Sequence, residues 1–327
     1  MRNPSKFKSI AAALRRLVRT LPQRAAVGAF NAPLLNPEQL AEILRSAQTL
    51  PLAWPHAGDV HHPQSGDFRS ATLGSGLDFE AARPYQPGDD VRRMDWRTTA
   101  RTGTAFVKTY REEHQPQLHL VLDRGASMRF GTRTQLKVTQ AARIAALLAF
   151  INARSHVSIG AMLWQPEPIT LPSCAGEAGV LQVVQAAIAP CPPLSNEASS
   201  LAPSLTHIVR TLNAQLPLGS RVVFISDLRQ FSAADFPELA RLAARHQVSA
   251  YQVLDPVECE LPDVGQHEFT DISSGEHGRL DTHSTAVRMT FNTESKELHQ
   301  AQHALLARAG IMLHVCMTSD DVLKKSA

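Results

Sequence analysis

The sequence predicts an α/β protein built on an open, mostly parallel sheet with helices on both faces. Three observations predict it. Apolar runs at 117–123, 157–164, 221–227, 248–255 and 311–317 have the length of strands. Stretches of helical length and composition lie between them, and such alternation builds a parallel sheet covered on both sides. Among the runs that end in aspartate are the first and the third, at Asp123 and Asp227.

The elements follow in order. Over 5–20, Phe7, Ile10, Leu14, Leu17 and Val18 recur at helical spacing with bases opposite, which predicts a helical tail capable of weak membrane-surface or partner contact. Pro22 ends it. Asn36 before Pro37 reads as an N-cap with proline at the first helical position, opening a helix over 37–49. Pro51, Pro55, Gly58, Pro63 and Gly66 predict a linker, and its His56, His61 and His62 read as a solvated loop. Residues 66–116 mix short strand-like pieces with dense charge.

From 117 the α/β pattern begins. A strand ends at Asp123, a turn carries Gly125 and Ser127, and a helix spans 134–154. The strand at 157–164 is partnered by PEPITLP, ending at Pro172. Helices are expected at 176–189, 200–216 and 233–246, with strands at 221–227 and 248–255. Residues 257–293 read as irregular, with strands near 266–272 and 286–291. A helix at 294–309 leads through Gly310 to the last strand. The expected organisation is therefore 1–65 basic helices and linker, 66–116 a charged segment, and 117–327 the sheet domain.

Composition narrows the function classes. The chain has 327 residues, 43% apolar and 19% charged, which is ordinary for a soluble globular protein. A net charge of +3 does not argue for nucleic acid, and the bases Arg2, Lys6, Lys8, Arg15, Arg16, Arg19 and Arg24 precede the first acid, Glu38. The longest clean apolar run, Ile144 to Ile151, is far short of the roughly 20 residues of a membrane span. No secretory signal is visible, and Cys174, Cys191, Cys259 and Cys316 form no C-x-x-C pair, so a reducing, cytoplasmic location is expected. No P-loop, G-x-S-x-G elbow or H-E-x-x-H motif occurs, so no nucleotide site is expected. His299 and His303 share a helical face, but no third ligand accompanies them.

In open α/β sheets, ligands sit beyond the carboxyl ends of the strands. Asp123, Ser127 and Asp227 would bring oxygen ligands to one rim, the type that Mg²⁺ prefers. Residues 118–228 resemble a von Willebrand factor A-type domain. In that family the first strand ends in D-x-S-x-S, and later loops add Thr and Asp to form a metal-ion-dependent adhesion site. Here the run is Asp123-Arg124-Gly125-Ala126-Ser127, with glycine at the first serine position. Ser199 or Ser200 is the nearest counterpart of the threonine, and Asp227 fits the last position. The resemblance thus implies a degenerate Mg²⁺ site, with Arg124 expected to bring a positive charge close to it.

The preceding segment narrows the resemblance. Gly74-Ser75-Gly76-Leu77-Asp78-Phe79 leads to Arg83-Pro84-Tyr85-Gln86-Pro87-Gly88-Asp89-Asp90, then Arg92, Asp95-Trp96-Arg97 and Ala100-Arg101. This resembles the signature of the domain of unknown function 58 family, in the shorter branch that lacks membrane helices. Physically, the aspartates and arginines predict ion pairs fixing a loop, anchored by Tyr85 and Trp96, or else a surface for a partner. What the family resemblance implies is a non-enzymatic adaptor that works with a MoxR-type AAA+ ATPase in assembling or activating other complexes. The alternative is a metal-dependent hydrolase using the rim carboxylates with Asp89 or Asp90.

Overall fold

The computed structural model describes residues 33–50, 73–86, 94–111, 117–154, 157–191, 203–270 and 277–322. The chain enters through α1 (Pro37–Thr49). An antiparallel pair follows, β1 (Leu73–Pro84) and β2 (Phe106–Arg111), with the short helix α2 (Trp96–Thr102) between them. The segment expected as short strands and loops therefore holds a twelve-residue strand and a helix.

The sheet domain runs β3 (Leu118–Asp123), α3 (Lys137–Asn152), β4 (Ile159–Trp164), β5 (Ile169–Cys174), α4 (Gly176–Ile188) and α5 (Leu205–Gln215). It continues with β6 (Arg221–Ser226), α6 (Phe236–Arg245), β7 (Gln247–Leu254) and the single-turn helix α7 (Pro256–Cys259). The hairpin β8 (Gln266–Thr270) and β9 (His277–Asp281), helix α8 (Thr285–Arg308) and strand β10 (Met312–Met317) complete it. The six-stranded sheet has the order β10-β7-β6-β3-β4-β5. All its neighbours are parallel except β5, which runs antiparallel on the edge. The expected α/β class and open, mostly parallel sheet are those of the structure. β5 extends two residues past Pro172, because an edge strand with an irregular register tolerates proline.

Alternation along the strands fills two cores. Leu120, Leu122, Val223 and Ile225 point to the face covered by α1, α3 and α4. Val121, Val222 and Phe224 point to the face covered by α5, α6 and the end of α8. Helix α3 buries fourteen of its sixteen residues, which is why its sequence is apolar nearly all round. Helix α1 begins in a capping box: Asn36 Oδ1 accepts from the Gln39 N–H and Gln39 Oε1 from the Asn36 N–H. Its Leu40, Ile43, Leu44 and Ala47 join the first core, so this helix is built into the sheet domain.

Two expectations fail in the stretch 257–293. The hairpin β8–β9 forms, but residues 286–291 are helical, not a strand. Helix α8 starts at Thr285, nine residues before the expected 294, with the Ser284 side chain at its N-cap. Its first seventeen residues include no buried side chain, so its sequence carries no core-facing stripe there.

Candidate functional site

The order of the sheet reverses at β3, which has β4 on one side and β6 on the other. The carboxyl ends of β3 and β6 therefore flank a topological switch point. Asp123 closes β3, and Ser226-Asp227 closes and follows β6. Both aspartates are 1% exposed.

Asp123 Oδ2 accepts from the Ser226 hydroxyl at 2.6 Å, and Oδ1 from the Gly125 N–H at 2.8 Å. Ser226 Oγ in turn accepts from the Leu228 N–H at 3.0 Å. Leu228 holds φ +62°, a left-handed conformation that costs a branched residue about 1–3 kcal/mol and that this bond helps to fix. Burial, reinforced by the Asp227 charge, pushes the Asp123 carboxyl up to about 7.

Asp227 is held differently. Its Oδ2 accepts from Lys137 Nζ at 2.8 Å and its Oδ1 from the Arg229 N–H at 3.1 Å. Lys137 is fully buried, and its ammonium also donates to Glu258 Oε1 at 2.8 Å. Glu258 sits on α7, whose own capping box directs Oε2 to the Asp255 N–H at 2.9 Å. The half-exposed Arg229 guanidinium reaches the same Glu258 Oε1 at 3.1 Å. Burial would raise Asp255, but hydrogen bonds from Thr132, Thr318 and the Val257 N–H outweigh it and keep this carboxyl low. Beside this cluster lies a cavity of about 190 Å³ lined by Asp227, Arg229, Glu258, Phe291, Leu298 and His299 among others.

Of the expected rim residues, Asp123 and Asp227 converge. Ser127 lies half-buried on a 3₁₀ turn over Ala126–Arg129, and its hydroxyl has no partner among the described residues. Ser199 and Ser200 lie outside the described residues. Arg124 does not charge the rim. Its guanidinium turns to the carbonyls of Ala186 and Ala189 and caps the end of α4, where the helix dipole favours a cation. His303 Nε2 pairs with Gln252 Oε1 at 2.8 Å, whereas His299 lines the cavity.

These residues do not fit a divalent ion. The Asp123 oxygens are engaged by a hydroxyl and an amide, and Asp227 Oδ2 already holds an ammonium. A Cβ at Gly125, the position of the first serine in the motif, would lie 3.1 Å from Asp123 Oδ1, tighter than ordinary contact. Lys137, Ser226, Arg229 and Glu258 were not legible as site residues. One signal was available: a lysine opening an otherwise apolar helix sits against the helix dipole and needs an anionic partner.

The signature segment is placed in part. Gly88, Asp89, Asp90 and Arg92 lie outside the described residues, and Arg83 pairs in β1 opposite Val107. Asp95 is the N-cap of α2, accepting from the Arg97 and Thr98 N–H groups at 3.2 Å and from the Thr98 hydroxyl at 2.7 Å. Tyr85 is half-buried, and its N–H donates to the Ala105 carbonyl. Trp96 does not anchor the loop. The cap sets it at the first helical position, where it stays 64% exposed, with Arg97 and Arg101 exposed on the same short helix.

The chain is 34% identical over 211 residues to the uncharacterized proteins Rv1480 of Mycobacterium tuberculosis and Mb1516 of Mycobacterium bovis. The match covers 64% of this chain and 65% of each relative, so just under two thirds of their length is spanned. Among solved structures, it is similar to BatB from Bacteroides thetaiotaomicron, at 16% identity and a TM-score of 0.40, over 64% of this chain and 94% of that one. It is also similar to the SpRpn10 VWA domain, at 12% identity and a TM-score of 0.35, over 65% and 93%. No helix among the described residues is long and apolar enough to cross a membrane. The model of the family described as "Protein of unknown function DUF58" matches residues 81–301, a stretch that holds both the capped α2 and the Asp123–Lys137–Asp227 rim, and the chain belongs to that family.

Proposed function

We propose that the protein is a non-enzymatic interaction module of the cytoplasm that works beside a MoxR-type AAA+ ATPase. The observation that carries this reading is the exposed Trp96, flanked by exposed Arg97 and Arg101 on a helix whose backbone Asp95 locks. Tryptophan and arginine are the residue types that dominate binding energy at protein interfaces, and a pre-ordered helix lowers the entropy lost on docking. The rim supports binding over chemistry: Lys137 is spent on Asp227 and Glu258, and Arg229, half-exposed at the cleft beside them, donates to Glu258. Four free cysteines fit a reducing compartment.

The test is a direct binding measurement between the purified chain and a MoxR-type ATPase loaded with Mg·ATP. Trp96→Ala combined with Arg97→Glu is expected to weaken the complex at least about tenfold while leaving the melting temperature unchanged. Undiminished binding by that folded variant would remove the α2 face as the docking surface. A hydrolytic activity that survives purification and is lost in Asp123→Ala would instead favour the hydrolase reading.

A further inference from the structure

We infer that Lys137 is the resident counter-ion of Asp227 and Glu258 at this rim, and that the rim takes no divalent metal. Geometry comes first. The ammonium is wholly buried and lies 2.8 Å from both Asp227 Oδ2 and Glu258 Oε1. A buried lysine of this kind is costly unless paired, and removing one member of such a cluster leaves an uncompensated charge inside the protein. Its position adds to the cost. Lys137 is the first residue of α3, where the N-terminal helix dipole repels a cation and no side-chain cap is present. Among the described residues, Asp227 and Glu258 accept from this ammonium and offset both penalties.

Charge balance leads to the same place. Lys137 and Arg229 carry two positive charges against the two negative charges of Asp227 and Glu258. The remaining carboxylate, Asp123, is engaged by Ser226 and Gly125 and faces neither cation at hydrogen-bond distance. The two carboxylates that Lys137 bridges are therefore already matched by protein cations, and both Asp123 oxygens are already taken by protein donors. The hydroxyl that would complete an oxygen shell is missing at Gly125, and a Cβ there would press on Asp123. The substitution of glycine for serine and the buried lysine are two halves of one arrangement: the ligand set is reduced and the cation is built in.

The experiment titrates the whole chain calorimetrically with MgCl₂, CaCl₂ and MnCl₂, and melts it in each salt and in EDTA. A flat titration and melting temperatures within about 1 °C of one another are expected, because a ligand that does not bind the native state cannot stabilise it. Lys137→Ala is expected to melt about 10 °C lower in EDTA, from loss of one partner of a buried ion cluster. Millimolar Ca²⁺ should then recover part of that loss, since it accepts oxygen ligands at roughly 2.3–2.6 Å in flexible geometry. Should Lys137→Ala fail to fold, Lys137→Met with Asp227→Asn and Glu258→Gln keeps the volume and removes all three charges. That variant is expected to fold and to ignore metal. A stoichiometric heat from the wild type with any of the three ions overturns the inference. So does a Lys137→Met single variant as stable in EDTA as the wild type.

Discussion

His119 sits in the middle of β3, 3% exposed, and neither ring nitrogen has a hydrogen-bond partner among the described residues. Burial pulls it down to about 4 from an ordinary 6.5. A base depressed in the native state refuses a proton that the unfolded chain accepts. Its contribution is therefore complete above pH 6.5 and is lost as pH falls toward 4, by up to roughly 3 kcal/mol in total. Asp123 works in the opposite sense. Raised to about 7 from 3.8, it stays protonated in the native state where the unfolded chain ionises, so its contribution is complete below pH 3.8 and is lost as pH rises to 7. Between about pH 4 and 6.5 the two contributions oppose each other. His119→Leu isolates the histidine. Between pH 7 and pH 5, urea melts of the variant should lose about 2 kcal/mol less than those of the wild type. Parallel curves would mean that the native ring takes up its proton as readily as the unfolded one.

At the scale of elements, two arginines satisfy carbonyls at the C-terminal ends of helices. Arg154 Nη1 donates to the carbonyls of Ala47 and Leu50 at the end of α1, as Arg124 does at the end of α4. Losing charged hydrogen bonds to buried carbonyls costs about 1.5–3 kcal/mol. Arg124→Leu should therefore lower stability by about that much. It should speed amide exchange in the last turn of α4 and leave exchange at the end of β3 unchanged, where a rim role for Arg124 would move both. The same scale explains what the sequence hid. Val287, Met289 and Phe291 alternate like a strand, yet they lie on a helix whose outer half buries nothing, so the spacing there answers to solvent and not to a core. The strand-end aspartates were legible because a carboxylate closing an apolar run is locally odd. Glu258 was not, because only the return of the chain through α7 brings it to Asp227's ammonium partner.

For the whole molecule, the informative element is α1. It precedes the stretch that matches the family, which begins at residue 81, yet it packs into the core against α3. Leu35, Leu40, Ile43, Leu44 and Leu50 are buried there, and each is worth about 1.5–3 kcal/mol on burial. Their sum rivals the roughly 5–15 kcal/mol that holds an ordinary domain folded. The polar ties run the same way: Arg154 at the end of α3 caps α1, and the Leu34 N–H donates to the Ile188 carbonyl at the end of α4. A chain cut to residues 66–327 keeps the sheet, the rim and α2 but bares the apolar face of α3. We expect it to lose its cooperative urea transition and to bind a hydrophobic dye, with strand and helix signal retained in the far ultraviolet. Ile43→Asp in the full chain should show the same loss in milder form, since it places a carboxylate in the seam while leaving every residue of the cut fragment intact. A truncated chain that melts as sharply as the full one would instead make α1 an ornament on a self-sufficient domain.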